Sequence, residues 1–423
     1  VNNPWVGYLN RSYSSIKNNL LQNLGLNVPE VTDHSESNIL IIILSIFSGF
    51  MEQMHYYLDN LAREAFLMNA RRYSSVVSLV KLIDYRIKTR VPASADLLLS
   101  FFDSNGDPVA LTEDYIIPQG TEFLTLNNIR FVTTVPHTIQ SGKTQSFISA
   151  TQIIGTDSTT LGVTNGNENQ TFNIPDNYAH RSSHILINGE SWEERNTLGR
   201  SLPNSKHYII DVGPDRKAFV KFGDNINGMV PTSGGTVIFD YNTTFGAAGN
   251  VGQNSITVIS SILTIPSVNN ITVTNPIKAS GGSEIEDINR IRRSGPLHIR
   301  TLERAVTDKD YIDVSELAPG VHSADVEYNC GKFIKIYIGP NDGGIASMDL
   351  LLSTYYFVKL RKIITTKIIV LPAGETQLIF NFNVMAKPYI TAEQCYNDVM
   401  DKLISMYEYY ASDVNREIRL SDI

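Results

Sequence analysis

The spacing of hydrophobic and polar positions changes character twice along the chain. Residues 39–50 form the strongest apolar run, broken only by Ser45, Ser48 and Gly49. Leu58, Leu61, Ala62, Ala65, Phe66 and Met68 then keep helical spacing, as do Val76, Val77, Leu79, Val80, Leu82 and Ile83. Recurrence at three and four residues places such side chains on one face of a helix. No proline falls between Pro29 and Pro92, so residues 1–92 read as a helical region. The run at 39–50 is shorter than the roughly twenty residues a bilayer requires. It is expected to be a buried helix. Asp33 and Glu36, just before it, have the spacing of a capping box.

From residue 93 the pattern shortens to strand-like runs: 97–102, 131–134, 207–212, 219–222, 236–241 and 255–259. Asn105-Gly106, Asn165-Gly166, Asn188-Gly189 and Gly234-Gly235 punctuate them. These are hairpin signals, and residues 93–274 read as a mostly antiparallel β region. The polar stretch 141–170 is expected to be an insertion or exposed loop.

Helical spacing returns at Gly281. Ser283 with Glu286 predicts a capping box before Ile288 and Ile291, and Thr307 with Asp310 predicts another, starting a helix at about Asp308. Pro319-Gly320 ends that helix. Residues 275–330 read as a helical connector. A strand at 333–338, a helix at 347–362, strands at 367–370 and 378–386 and a helix at 392–410 follow, which is the order of a split βαβ domain over 331–423. The fold class is therefore α+β multidomain: a helical N-terminal region, a central mostly antiparallel β region and a C-terminal split-βαβ-like domain.

Composition narrows the function classes. The chain has 423 residues, enough for two to four domains at about 150 each. Its 35 Lys+Arg against 43 Asp+Glu give a net charge of −8, which argues against a general nucleic-acid binder. Charged residues make up 18%, below the usual level of about 25%, so much of the polar surface carries no full charge and is easily desolvated against a partner. Cys330 and Cys395 form no C-x-x-C pair, which excludes a disulfide scaffold, argues against zinc and suits a reducing cytoplasm. The sequence starts at Val1 with no basic segment leading into an apolar one, so no signal peptide is visible and a processed or shortened start is expected. It stops at Ile423 without a helix stop, so residues beyond that point are expected.

Candidate chemistry is sparse. There is no H-E-x-x-H, P-loop or G-x-S-x-G. Gly246, Gly249 and Gly252 do not match the dinucleotide fingerprint and read as a tight loop. Asp103, Asn105 and Asp107 open like a calcium loop, but Pro108 stands where glycine is needed, so a hairpin turn is expected. Asp211, Asp215 and Asp224 read as turn carboxylates. His180 and His184 are four residues apart without a helical face to bring them onto one metal. His298 lies in a basic stretch with Arg290, Arg292, Arg293, Arg300 and Arg304, preceded by Glu284, Glu286 and Asp287. Acids at a helix start and bases at its end complement the dipole, which an ordinary helix also uses. The functional alternative is an arginine surface gripping an acidic partner protein, since a planar guanidinium binds carboxylates bidentately.

An ordered series of segments resembles the baseplate J-like family, which includes the baseplate wedge proteins of contractile-tailed phages of the T-even type. The series runs from Leu82-Ile83-Asp84-Tyr85-Arg86 through Val91-Pro92-Ala93-Ser94-Ala95 to Ile117-Pro118-Gln119-Gly120-Thr121. It continues in Phe222-Gly223-Asp224, Gly228, Pro231 and Gly234, then Gly246-Ala247-Ala248-Gly249-Asn250. Ala279-Ser280-Gly281-Gly282-Ser283-Glu284 and Arg304-Ala305-Val306-Thr307-Asp308-Lys309-Asp310-Tyr311 complete it. Gly223, Asp224, Gly228, Gly246, Gly249, Thr307 and Asp310 are read as fold-making turns and caps.

The resemblance implies a virion structural component of the tail baseplate, with no catalytic, cofactor or metal site. It implies partners among other wedge proteins and copies of the same chain, six or twelve per particle, joined in a ring around the tail tube. It further implies a part in the rearrangement that starts contraction, and assembly in the host bacterial cytoplasm. No nucleic acid, membrane insertion or small-molecule substrate is expected. Residues 1–92 would be the wedge core and 331–423 the ring or dimer contact. Two other classes remain open: a tail-associated carbohydrate-binding or depolymerising protein, given the β-rich middle and 20 tyrosines, and a metalloenzyme using His180, His184 and an Asp.

Overall fold

The computed structural model describes residues 12–31, 33–266, 268–329, 333–341, 343–374, 391–407 and 414. The chain divides into two compact units, Val1–Leu82 and Ile83–Ile423.

The first unit contains α1 (Tyr13–Asn27), α2 (Ile39–Glu64) and α3 (Tyr73–Lys81). α1 packs along α2, and the Tyr13 amide donates to the Glu52 carboxylate at 3.1 Å. α2 begins at Asn38, whose side chain accepts from the Leu40 amide at 3.0 Å. Asp33 instead accepts from the Ser35 amide in a local turn, so the cap expected from Asp33 and Glu36 is not the one formed. The 39–50 run is helical but not buried. Of these residues only Ile41 and Ser48 are buried, while Ile39, Phe47 and Phe50 are 75%, 61% and 63% exposed. The reason is geometric: apolar side chains circle the helix at every register, and α1 covers only one strip. By length and composition α2 is long and apolar enough to cross a membrane.

The second unit opens with fifteen strands among the described residues. In chain order these begin β1 (Ser94–Phe102), β2 (Tyr115–Ile117), β3 (Glu122–Thr125), β4 (Arg130–Val132), β5 (His137–Ile139), β6 (Gln145–Gln152) and β7 (Gly155–Val163). They continue as β8 (Thr171–Asn173), β9 (His184–Ile187), β10 (Glu190–Glu194), β11 (His207–Val212), β12 (Ala218–Phe222), β13 (Thr236–Thr243), β14 (Ile256–Ile259) and β15 (Asn270–Thr274). One sheet has the order β14-β3-β4-β6-β1-β15, a second β7-β13-β9-β10-β11-β12-β8, and β2 pairs with β5. Every pairing in this region is antiparallel except β10 with β11.

Alternation explains the first core: Leu97, Leu99 and Phe101 of β1 point inward with Phe123, Phe131 and Ile148. The second sheet is aromatic inside, with Phe239 stacked on Tyr241 at 4.9 Å and Trp192 edge-on to Phe222 at 5.2 Å. The stretch 141–170 corrects the sequence reading. It contains β6, which lies within the first sheet between β4 and β1, and β7, which pairs along β13 from Gly155 to Val163. Serine and threonine fit a pleated strand as well as apolar residues do, but they leave no hydrophobic alternation to read.

The remainder holds α4 (Ile288–Thr301), α5 (Asp308–Glu316), β16 (Val321–Asn329), β17 (Phe333–Pro340), α6 (Met348–Lys359), β18 (Ile368–Pro372) and α7 (Ala392–Tyr407). β16 and β17 pair antiparallel, and β18 joins β17 in parallel after the α6 crossover. β16 is a strand the sequence reading did not anticipate within its helical connector. α5 packs on β16, and Tyr311 and Val314 share one core with Ile336, Ile338 and Val358. The expected strand at 378–386, residues 408–410 of the last expected helix, and Cys330 lie outside the described residues. Thr307 and Asp310 form the predicted capping box. Ser283 and Glu286 do not cap α4: Asp287 does, accepting from the Arg290 amide at 2.9 Å. The start of α6 docks on the first sheet, where Ser94 and Ser347 hydroxyls bond at 2.6 Å and Asp96 accepts from the Met348 amide at 3.0 Å.

Candidate assembly surface

The arginine group on and after α4 splits by role. Arg290 reaches across to the end of α5 and the start of β16, donating to the carbonyls of Glu316 at 2.9 Å, His322 at 3.0 Å and Val321. Arg293 pairs with the buried Glu316 carboxylate at 2.9 Å, and Arg300 pairs with the buried Asp313 carboxylate. These three side chains hold α4 against α5. Arg292 contacts Asn289 at 3.5 Å on its own helix. Arg304 is exposed after the left-handed turn at Leu302 and Glu303. His298 packs its ring edge-on to Tyr85 at 5.8 Å.

The residues read as turns and caps sit at close approaches. A side chain at Gly223 would strike the Gly228 carbonyl and come within 2.6 Å of the Asn227 oxygen. Asp224 accepts from the amides of Asn227 at 2.6 Å and Ile226 at 3.0 Å, which hold its carboxyl below the usual range. Gly228 closes this loop at φ +87°. Gly246 leaves room for the Glu284 carboxylate, and Gly249 lies against Ala93 and Gln152.

Glu286, freed from capping, sits 7% exposed between two partners. Tyr85 donates its hydroxyl to both carboxylate oxygens at 3.0 and 2.8 Å, and the Lys88 ammonium lies 3.5 Å away. Burial, then the Glu286 charge, pushes the Tyr85 phenol well up. Burial draws Lys88 down to about 8 despite its partner. Arg90 pairs with Glu284 at 2.6 Å. The run Tyr85-Arg86-Ile87-Lys88-Thr89-Arg90 thus alternates: Tyr85, Ile87 and Thr89 are buried, and the cations lie on the other face. That period-two pattern is visible in the sequence, but helical spacing in the preceding segment masked it.

The histidines do not converge. His180 Nδ1 bonds the Thr89 hydroxyl at 3.0 Å, and His184 Nε2 bonds Ser191 at 2.9 Å. Among the described residues no group of three or more His, Cys, Asp or Glu is placed to hold a metal. Asp103 accepts from the amides of Asn105 and Asp107, a hairpin-turn geometry. Asp211 is not a turn carboxylate as expected but lies buried within β11, 3.4 Å from Arg86, whereas Asp215 accepts from the Lys217 amide in its turn. These carboxylates are separate structural groups.

A helical unit, and a second unit of antiparallel sheets with a small βαβ module in which ion pairs hold α4 to α5, define a multidomain α+β protein. The sequence comparison supports a relation to the baseplate wedge family. The chain is similar to baseplate wedge protein gp6 of Enterobacteria phage T4, with 25% identity over 347 residues, covering 72% of this chain and 49% of that protein. It therefore spans about half the length of this curated relative. No family model matches the chain. A solved structure of the anti-feeding prophage baseplate, 6-fold symmetrised, aligns over 93% of this chain and 79% of the other. That alignment has 10% identity and a TM-score of 0.26, too slight to bear on the fold.

Proposed function

We propose that the chain is a non-enzymatic structural component of a phage-type tail baseplate, acting as a wedge protein. The similarity to a baseplate wedge protein over 72% of the chain carries this reading. The structure adds a physical reason for assembly: α2 offers a row of exposed Ile, Leu, Phe and Met that is costly to leave in water. We read the N-terminal helices as packing with a second wedge protein through these side chains, with no membrane insertion. Glu52, Asp59, Arg63 and Glu64 in the second half of α2 favour a protein partner over lipid.

The βαβ module and the outer face of α4 would make ring contacts. Closed rings need heterologous contacts, and six or twelve copies are expected. Such a ring has two packings of similar energy, and a signal shifts it between them to start contraction. Nucleic acid and small-molecule substrates play no part in this scheme. Assembly would take place in the host bacterial cytoplasm, and the mature location would be the virion tail.

Copy number tests the reading. Tailed particles from the source are purified, and this chain is quantified by mass spectrometry against the major tube or sheath protein. Six or twelve copies support the ring. Three copies point instead to a trimeric spike or fibre, and absence from particles overturns a structural role.

A further inference from the structure

Among the described residues, five that are neither glycine nor asparagine adopt positive φ: Asp84, Arg181, Arg216, Leu302 and Glu303. Four of them line one cavity of about 620 Å³ in the second unit; only Arg216 lies elsewhere. Backbone held in this region persists where the surroundings over-determine it, and such positions cluster at binding sites. The same cavity is lined by Arg86, Lys88, Arg181, Arg195, Arg200 and Arg361, against three carboxylates.

Four of these cations have carboxylate partners, some beyond the lining: Lys88 has Glu286 at 3.5 Å, Arg195 has Glu193 at 2.8 Å, and Arg86 has Asp211 at 3.4 Å besides Asp84. Asp84 is taken by Arg86 at 3.0 Å, and Glu303 lies 3.8 Å from Arg361. Glu194 accepts from the Ser183 hydroxyl, and its burial pushes the carboxyl up, towards the neutral form. Arg181 has a neutral partner, Asn196, at 3.1 Å. Arg200 is exposed and has no side-chain partner among the described residues. Burial first, with the Arg181 charge adding to it, draws the His180 ring down to about 3. A further donor is already in place: the hydroxyl of Tyr178, a lining residue only 2% exposed, makes no hydrogen bond of ordinary geometry.

We infer that this cavity binds a small polyanion, a ligand carrying two or more phosphate or carboxylate groups, gripped by Arg181 and Arg200 with the Tyr178 hydroxyl as an additional donor. Planar guanidinium forks match either oxyanion bidentately. The volume falls within the range of about 300–1,000 Å³ usual for small-ligand sites. This site is independent of the baseplate reading, because its test needs only the purified chain.

Calorimetric titration and thermal unfolding of the full chain would be run with tripolyphosphate, citrate and sodium chloride at matched ionic strength. Saturable binding of tripolyphosphate or citrate beyond the chloride effect is expected. Arg181→Gln and Arg200→Gln should each weaken it about tenfold or more, the usual loss for one charge-assisted bond. Arg304→Gln, outside the cavity, should leave it unchanged. Tyr178→Phe should weaken it less, without altering the unfolding midpoint of the free chain. Stabilisation no greater than chloride gives, or binding insensitive to both arginine variants, overturns the inference. So does binding of a ten-residue poly-glutamate peptide without binding of either small anion, which would make the cavity a seat for an acidic protein segment.

Discussion

Single residues in this chain do most of their work through buried partners. Arg300 faces Asp313, whose side chain is 4% exposed. Arg300→Ala removes the charge that neutralises it. With Arg300 itself partly exposed, a loss of about 1–3 kcal/mol is expected in urea unfolding, below the full value for a wholly buried pair. Arg304→Ala should stay within about 0.5 kcal/mol, as exposed sites do. Gly223→Ala drives a methyl into the Gly228 carbonyl and should cost about 3 kcal/mol or prevent folding. Gly234→Ala meets open space and carries only the strain of its φ of +86°, about 1 kcal/mol.

His180 gives a pH signature at the same scale. The unfolded chain takes up its proton near 6.5, whereas the folded chain holds the ring neutral down to about 3. Its contribution is complete above about pH 6.5 and is lost as pH falls towards 3, because the unfolded state binds more protons there. His180→Asn should flatten the fall in unfolding midpoint between pH 6.5 and 4. An unchanged slope would show that the ring is not buried neutral.

At the scale of elements, the helix starts show what local sequence can and cannot settle. The Thr307–Asp310 box needs nothing beyond four consecutive residues, and Thr307→Ala should cost about 1 kcal/mol. Glu286 has the same spacing from Ser283, but its carboxylate is drawn to Tyr85 and Lys88, about two hundred residues earlier in the chain. Asp287 caps in its place. Long-range hydrogen bonding to a buried acid outweighs a surface cap. β7 makes a related point. Its threonines and serines carry no apolar signal, and β13 alone makes it a strand by pairing along its length. α2 is legible as a helix, while its exposure is not, since periodicity says which side chains are apolar and not what covers them. Ile43→Glu with Phe47→Glu should abolish assembly with a wedge partner while leaving the unfolding midpoint of the second unit in place, read by co-purification and calorimetry.

For the whole molecule, the five arginines on and just after α4 need their roles divided. Three of the five hold α4 to α5 and the start of β16, so reversing their charge tests folding more than assembly. Arg292→Glu with Arg304→Glu is the sharper test of a ring contact. Fewer copies entering particles, with an unchanged unfolding midpoint, is the expected result. Unchanged incorporation would remove this face from the interface.

The sequence by itself determined the order of helical, β and βαβ segments, the Thr307 cap, the Asn-Gly turns and the similarity to a baseplate wedge protein. All of these rest on local periodicity, local hydrogen bonding or direct similarity of residues. Tertiary structure alone decided that 141–170 holds two strands, that Glu286 is buried with Tyr85, that most apolar side chains at the start of α2 are exposed, and that six cations from separate segments line one cavity. Each of these depends on which groups from remote segments meet. Burial, desolvation and charge act through distance in space, which neighbouring sequence positions do not specify.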